Sequence, residues 1–222
     1  MPAASHGPAK NEDLHGSVPD ESPVVVVAID VINDLEFPGG EELEGPALQM
    51  ARELKPLLAR AREAGIPVIY ANDNFGKWRS DFRALLDHCL DDNVRGRKVA
   101  ELLRPGADDY FILKPKHSAF FATALDTLLA YLKARTLILC GIATDSCVLA
   151  TATDADMRDL HVVVAEDCVA ALTAERHERA LAHVRETLDV RTMKGADIDF
   201  TALAAEVEGA ATSSARAPAK QS

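Results

Sequence analysis

The run Val24–Ile29 constrains the fold more than any other stretch of this sequence. All six residues are apolar, and five of them are β-branched. A strand without polar alternation is buried on both faces, as in a parallel sheet that helices cover. Similar short runs recur between stretches with helical spacing. They predict strands at residues 24–29, 66–71, 109–113, 136–140 and 161–165, and a weaker strand near residues 190–193.

The stretches between these runs have the apolar spacing of amphipathic helices. The first covers residues 47–61, where Pro46 marks the start and Pro56 is expected to kink the helix. Two later helices are expected to follow Thr123 and Thr173, which are good capping residues. Parallel strands joined by right-handed helical crossovers predict an α/β fold, a Rossmann-like three-layer sandwich around a six-stranded parallel sheet.

The length of the chain favours a single domain. Its 222 residues, 48% of them hydrophobic, can bury one sizeable core. Residues 1–22 and 206–222 are rich in alanine, proline, serine and charge, a composition typical of disordered tails. We therefore expect one domain at residues 23–205 between two disordered tails.

The net charge indicates the kind of partner, and the cysteine content indicates the cellular compartment. The formal net charge is -11 without a basic block, which argues against nucleic acid or an anionic membrane and favours a neutral or cationic small molecule as the substrate. No apolar stretch approaches the roughly 20 residues of a membrane span. Four irregularly spaced cysteines do not make a disulfide framework, and the N-terminus lacks a signal-peptide pattern. The expected location is the cytoplasm.

Polar residues at the ends of the predicted strands are the candidate site, because open parallel sheets bind ligands beyond the carboxyl ends of their strands. Asp30 follows the first strand and Lys114 follows the third. A carboxylate at the end of an apolar strand needs a partner or a proton, which suits proton transfer. The structural alternatives are a turn aspartate and a solvated lysine.

Cys147 follows the fourth predicted strand at the start of a helix, for which Thr144 is the candidate N-cap. Amide groups and the helix dipole favour a thiolate in the first helical turn. We therefore expect a low pKa and a prompt reaction with iodoacetamide near neutral pH, ahead of Cys89, Cys140 and Cys168. The alternative is a packed interior thiol, since free cysteine is among the residue types most often buried.

These three side chains could act together if they meet in one crevice. Cys147 would attack a carbonyl carbon, Asp30 would pass the thiol proton to the leaving group, and Lys114 would stabilise the thiolate. Backbone amides between Ala143 and Cys147 would face the developing oxyanion.

Three segments, AIDVINDLEFPGG, LKPKHSAFFATAL and CGIATDSCVLATATDA, occur in this order and are followed by VVVAEDCVAALTAERHERAL. Together they resemble the isochorismatase-like cysteine hydrolase superfamily over about residues 24–193. The resemblance implies a catalytic triad of Asp30, Lys114 and Cys147, a six-stranded parallel sheet and a homo-oligomer. The implied activity is hydrolysis of a non-peptide C–N bond in a small amide, carbamoyl or ureido compound through a thioester on the cysteine.

The resemblance also implies the backbone of the oxyanion hole. The family has a cis peptide just before the helix, which corresponds to Ile142 and Ala143 here. This bond is expected to help aim the amides of Ala143 and Cys147 at the substrate oxygen.

The sequence departs from the family pattern in two places. Ile32 stands where the first motif often has glutamine. The segment after the second strand, YANDNFGKWRSDF, contains no histidine, whereas nicotinamidases of the family bind a metal there through an aspartate and histidines. We therefore expect a site without a metal or another cofactor.

Residues in the loops near the strand ends are candidates for substrate contacts. Amide groups and aromatic faces would suit a polar, uncharged substrate, although the same residues could instead shape and pack their loops. The candidates are Phe37, Asn72, Asn74, Trp78, His117, Phe121 and Ile142.

Other functions stay open at this point. A vinyl-ether hydrolase of the isochorismatase type can proceed without the cysteine, and a catalytically silent binding protein could share the fold. A haloacid-type phosphatase fits poorly because Ile32 replaces its second aspartate. A receiver domain fits poorly because it would end at roughly 120 residues and carry aspartate in place of Lys114.

Overall fold

A computed structural model of the protein describes residues 21–75 and 81–215 and contains a six-stranded sheet. Its strands are β1 (Val24–Ile29), β2 (Val68–Asp73), β3 (Tyr110–Lys114), β4 (Thr136–Ile142), β5 (His161–Ala170) and β6 (Arg191–Met193). Neighbouring strands pair in parallel in the order β3-β2-β1-β4-β5-β6. The predicted six-stranded parallel sheet is confirmed, although β2, β3, β4 and β5 all end later than predicted.

Helices cover both faces of this sheet. In the described residues they are α1 (Gly40–Glu63), α2 (Phe82–Asp91), α3 (Arg97–Leu102), α4 (Leu125–Leu132), α5 (Leu149–Asp156), α6 (Ala174–Thr187) and α7 (Phe200–Ala215). The first three and α7 share a core with Val24 and Val26 of β1. The other three share a second core with Val25 and Val27. Alternate residues of β1 therefore lie in two different cores, which explains its lack of polar positions and confirms the three-layer α/β sandwich.

The first helix begins earlier than predicted. Helix α1 starts at Gly40, so Pro46 lies inside the helix rather than at its start, as does Pro56. The buried stripe continues one turn towards the N-terminus through Leu43, which precedes Ala47 by four positions and is 1% exposed. Burial of this side chain favours the additional turn despite the proline that follows it.

The two predicted helix caps differ in outcome. Thr173 caps α6, because its hydroxyl accepts a hydrogen bond from the backbone N–H of Arg176. Thr123 is not the cap of α4, which is Ala124. The hydroxyl of Thr123 accepts from the N–H of Leu125, so this residue organises the turn before the helix instead.

Helices α2 and α3 are not among the predicted elements. They are short and lie between β2 and β3, where no long apolar stripe stands out. Helix α2 is nevertheless well specified locally: the Asp81 side chain accepts from the N–H of Ala84, and Phe82, Leu85 and Cys89 form its buried face.

The last helix extends beyond the expected end of the domain. Helix α7 runs to Ala215, past residue 206, where we expected the C-terminal tail to begin. Alanine has the highest helix propensity and is frequent in this segment, and Phe200 and Leu203 hold its first turn in the core. The domain boundaries stay predictions, and residues 1–20 and 216–222 lie outside the described residues. Each helix within the described ranges is too short or too polar to span a bilayer.

Candidate active site

Strand order brings the three predicted catalytic residues to one edge of the sheet. Asp30 follows β1, Lys114 is the last residue of β3, and Cys147 lies in a π-helical turn, Thr144–Val148, directly after β4. Strand β1 lies between β2 and β4, so the chain order reverses there. Parallel sheets form their ligand crevices at such a point.

The carboxylate, the amine and the thiol contact one another. Lys114 Nζ lies 2.8 Å from Asp30 Oδ2 and 3.5 Å from Cys147 Sγ. Asp30 Oδ1 accepts a hydrogen bond of 2.7 Å from the backbone N–H of Asp73, and Lys114 Nζ donates to the carbonyl of Lys116 at 3.1 Å. All three predicted residues are buried. The geometry therefore joins them in one cluster, and their catalytic role is a proposal.

Burial and mutual charge set the proton affinities of the cluster. Burial raises the pKa of Asp30, against the opposing attraction of Lys114. Burial alone would lower the pKa of Lys114, but the attraction of Asp30 and of Cys147 prevails and raises it. Burial and the negative charge of Asp30 together raise the pKa of Cys147 to about 12. The expected low pKa of Cys147 is therefore wrong, and the resting residue is a thiol.

A cavity of about 460 Å³ opens beside Cys147. This volume lies within the range of about 300–1,000 Å³ that is usual for small-molecule sites. Asp30 and Cys147 both contribute to its wall. Among the other predicted site residues, the cavity is lined by Phe37, His117, Ile142 and Ala143.

The imidazole of His117 lies close to the thiol. His117 Nδ1 is 3.7 Å from Cys147 Sγ and 3.2 Å from Ser146 Oγ. Its position beside the sulfur is consistent with the predicted substrate contact.

The structure does not place three of the predicted substrate-binding residues at the cavity. Asn72 is 1% exposed, and its Nδ2 donates to the carbonyl of Ile32 at 2.7 Å, so it holds the loop that follows β1. Asn74 is buried, and its backbone N–H donates to the carbonyl of Lys114 at 3.0 Å. Phe121 is exposed away from the cavity wall. Trp78 lies outside the described residues.

The cavity wall also contains residues that were not predicted. Asp73 and Phe75 line it in place of the neighbouring asparagines. Strand β2 continues to Asp73, two residues past its predicted end, and side chains alternate between the two faces of a strand. A prediction that extended β2 to residue 73 would have made Asp73 a candidate for the cavity wall. Arg176 of α6 also lines the cavity and carries no local signal, because its position depends on how α6 packs against the π-helical turn.

The backbone around the turn agrees with the family resemblance in one respect and differs from the expected capping in another. The peptide between Ile142 and Ala143 is cis. Ala143, rather than Thr144, is the N-cap of the turn. The hydroxyl of Thr144 forms a hydrogen bond of 3.0 Å with His177 Nδ1, so this side chain links the turn to α6 instead of capping it.

Metal ligands are not clustered in the part of the chain that the structure describes. No group of three or more His, Cys, Asp or Glu side chains there could hold a metal ion. The metal-free site stays a prediction.

Comparison with known proteins identifies the family. The Isochorismatase domain matches residues 24–194. An uncharacterized isochorismatase family protein, YaaI of Bacillus subtilis, is 38% identical over 163 residues, which is 73% of this chain and 89% of that protein. Maleamate amidohydrolase of Pseudomonas putida is 28% identical over 167 residues, 70% of this chain and 76% of that enzyme.

A solved structure agrees with the fold. The crystal structure of a cysteine hydrolase from Pseudomonas syringae pv. phaseolicola matches with a TM-score of 0.66 at 23% identity, over 82% of this chain and 92% of that chain. The family match spans the sheet and every residue of the buried cluster. This chain belongs to the isochorismatase family.

Proposed function

We propose that this chain is a cysteine hydrolase that cleaves a non-peptide C–N bond in a small amide, carbamoyl or ureido compound. The observation that carries the proposal is the contact of one buried ammonium, Lys114 Nζ, with both Asp30 Oδ2 and Cys147 Sγ beside a cavity of ligand size. Membership of a family of hydrolases supports the reaction class. The name of the relative maleamate amidohydrolase supports an amide as the substrate.

In the first half-reaction, Cys147 Sγ adds to the carbonyl carbon and a C–S bond forms. The thiol proton moves to the Asp30 carboxylate, which acts as general base. The tetrahedral intermediate then collapses, the C–N bond breaks, and Asp30 returns the proton to the departing nitrogen. The products of this half are a thioester on Cys147 and ammonia or an amine.

In the second half-reaction, water takes the place of the departed amine. Asp30 accepts a proton from the water as its oxygen adds to the thioester carbonyl. The C–S bond breaks, Cys147 takes the proton back from Asp30, and the carboxylic or carbamic acid leaves. Each half consumes and returns one proton, so the cluster ends in its starting state.

The remaining groups stabilise charge. Lys114 holds Asp30 in place and offsets negative charge on the sulfur as its proton departs. The backbone amides of Ala143 and Cys147 are proposed to donate to the oxyanion.

An ammonia-release screen tests this function. The chain is assayed with small amides, ureas and carbamates beside the variants Cys147→Ala and Cys147→Ser. Cys89→Ala is the matched control, because Cys89 is also buried but lies in α2, outside the cavity wall. We expect at least one substrate whose hydrolysis falls about 1,000-fold or more in both Cys147 variants. The Cys89 variant should keep its activity.

A trapped intermediate tests the mechanism directly. Mass spectrometry of the chain quenched in acid during turnover should show the acyl group on Cys147. Ammonia release that persists in Cys147→Ala would overturn the thioester route. Hydrolysis of a vinyl ether by the same variant would favour an isochorismatase-type reaction instead.

A further inference from the structure

Among the residues that the structure describes, one permanently charged cation of the cavity wall lies within reach of a substrate. Lys114 is 0% exposed, is not part of the cavity wall, and has its ammonium paired with the Asp30 carboxylate. Arg176 is the only lysine or arginine among the described residues that line the cavity, and its side chain is 48% exposed. An anionic group on a substrate would therefore meet Arg176 rather than Lys114.

An ion pair orients the guanidinium of Arg176. Its Nε donates to Asp145 Oδ2 at 2.5 Å. The other carboxylate oxygen of Asp145 is buried and has no hydrogen-bond partner within the described residues. The two Nη groups of Arg176 also have no hydrogen-bond partner among the residues that the structure describes. Two parallel N–H donors in a plane match the two oxygens of a carboxylate.

The charges around the cavity favour a monoanion. Asp30, Asp73 and Asp145 contribute carboxylates to its wall. A carboxylate carries one negative charge and is repelled less by these groups than a dianion such as a phosphate monoester would be. The site of Arg176 near the N-terminus of α6, a helix of 14 residues, adds a further favourable dipole for an anion.

The structure assigns to Arg176 the recognition of a substrate carboxylate. The substrate class is then a small acid that carries an amide or carbamoyl group, with the scissile carbonyl at Cys147 and the carboxylate on the Nη groups of Arg176. This inference rests on the proposed hydrolase function and makes it more specific. It replaces the uncharged substrate expected from the sequence.

Binding to the inactive variant Cys147→Ala tests the assignment without turnover. The probes are malonamate, succinamate and glutaramate, each compared by calorimetry with its neutral diamide of the same length. At least one acid should bind more tightly than its diamide. Adding Arg176→Gln should weaken that acid about 10- to 100-fold, as expected for loss of a charge-assisted contact, and leave the diamide unchanged. Arg176→Lys should restore part of the affinity.

Arg179→Gln provides the matched control. Arg179 lies one turn further along α6, is outside the cavity wall and pairs with Glu175. The Arg179→Gln substitution should leave the affinities for the acid and for the diamide unchanged. Equal weakening of acid and diamide by Arg176→Gln, or no preference for any acid, would overturn the assignment.

The result separates this inference from the proposed function. Hydrolysis of neutral amides without a preference for acids would leave the function standing and refute the role of Arg176. Binding of an acid through Arg176, without hydrolysis of any probe by the unaltered chain, would support the role of Arg176 and refute the proposed function.

Discussion

Lys114 and Cys147 are 33 positions apart in the sequence, and their Nζ and Sγ atoms lie 3.5 Å apart in the folded chain. Lys114 lowers the pKa of the thiol, whereas burial and the neighbouring Asp30 carboxylate raise it. Burial and Asp30 together outweigh Lys114, so the nucleophile rests as a thiol whose proton leaves when the sulfur attacks. Asp30 therefore adds to the rise in pKa that burial causes, and it is also the proposed acceptor of the proton.

Replacing Asp30 should therefore separate alkylation from catalysis. In Asp30→Asn the negative charge next to the sulfur is removed, so the pKa of Cys147 falls, while burial continues to raise it and Lys114 to lower it. Below the pKa the thiolate fraction rises about tenfold for each unit that the pKa falls. We expect faster alkylation of Cys147 by iodoacetamide at pH 7.5 than in the unaltered chain, and loss of amide hydrolysis. Mass spectrometry of the Cys147 peptide over time measures the first effect.

Lys114→Met is the opposite control, because it removes the charge that lowers the pKa. Alkylation should slow in this variant. In the unaltered chain, alkylation should be slow at neutral pH and accelerate as the pH rises towards 12, the approximate pKa of Cys147. Slower alkylation in Asp30→Asn than in the unaltered chain would contradict this account of the thiol.

The buried thiols should make the fold sensitive to alkali. Burial raises the pKa of Cys89 and of Cys147 to about 12, and raises those of Cys140 and Cys168 further. An unfolded thiol loses its proton near pH 8.5–9, so above that pH the unfolded state binds fewer protons than the native state. The free energy of unfolding must then fall as the pH rises.

Each thiol contributes a loss of about 1.4 kcal/mol per pH unit between its unfolded and folded pKa. Urea unfolding at pH 8 and at pH 10 measures the difference, and we expect a drop of several kcal/mol. Cys89→Ala should reduce this fall in the free energy of unfolding by about the contribution of one thiol. A free energy that is unchanged between these two pH values would show that the buried thiols do not control it.

The backbone before the π-helical turn should not accept a side chain. Gly141 has φ of 111°, and a Cβ there would lie 2.0 Å from the carbonyl oxygen of Ile29 on β1. Gly141→Ala should lower the free energy of unfolding by about 2–5 kcal/mol, through overlap and backbone strain, and displace the turn that carries Cys147. Urea unfolding and the ammonia assay measure the two effects.

Gly45→Ala is the control for this prediction. Gly45 lies inside α1, and a Cβ there meets open space. Alanine in place of glycine in a helix should raise the free energy of unfolding by about 0.5–1 kcal/mol. Similar effects of the two substitutions would mean that β1 does not restrict Gly141.

Asn72 should prove structural rather than substrate-binding. Asn72→Ala leaves the buried carbonyl of Ile32 without its donor, which should lower the free energy of unfolding by about 1–3 kcal/mol. The KM of the best amide substrate should change little, since Asn72 is not part of the cavity wall. A large rise in KM with unchanged stability would return Asn72 to the substrate contacts.

Much of the fold and the central part of the site follow from local sequence. The unbroken and mostly β-branched run of β1 is typical of a strand with cores on both sides, and parallel strands direct their carboxyl ends to one edge. The residues at those ends, Asp30, Lys114 and Cys147, were therefore predictable without coordinates. The spacing of apolar residues also predicted the buried face of α1. It did not predict where α1 begins, because Leu43 is buried only once the core has packed.

Tertiary structure alone decided the electrostatics and the outer wall of the cavity. The pKa of Cys147 depends on its burial and on the distance to a carboxylate on another strand, so the local preference of a helix start was reversed. Arg176 reaches the cavity because α6 packs beside the turn, and Asn72 turns to Ile32 instead of the substrate. Such properties depend on distances between segments that are far apart in the chain, and neighbouring residues carry no signal of them.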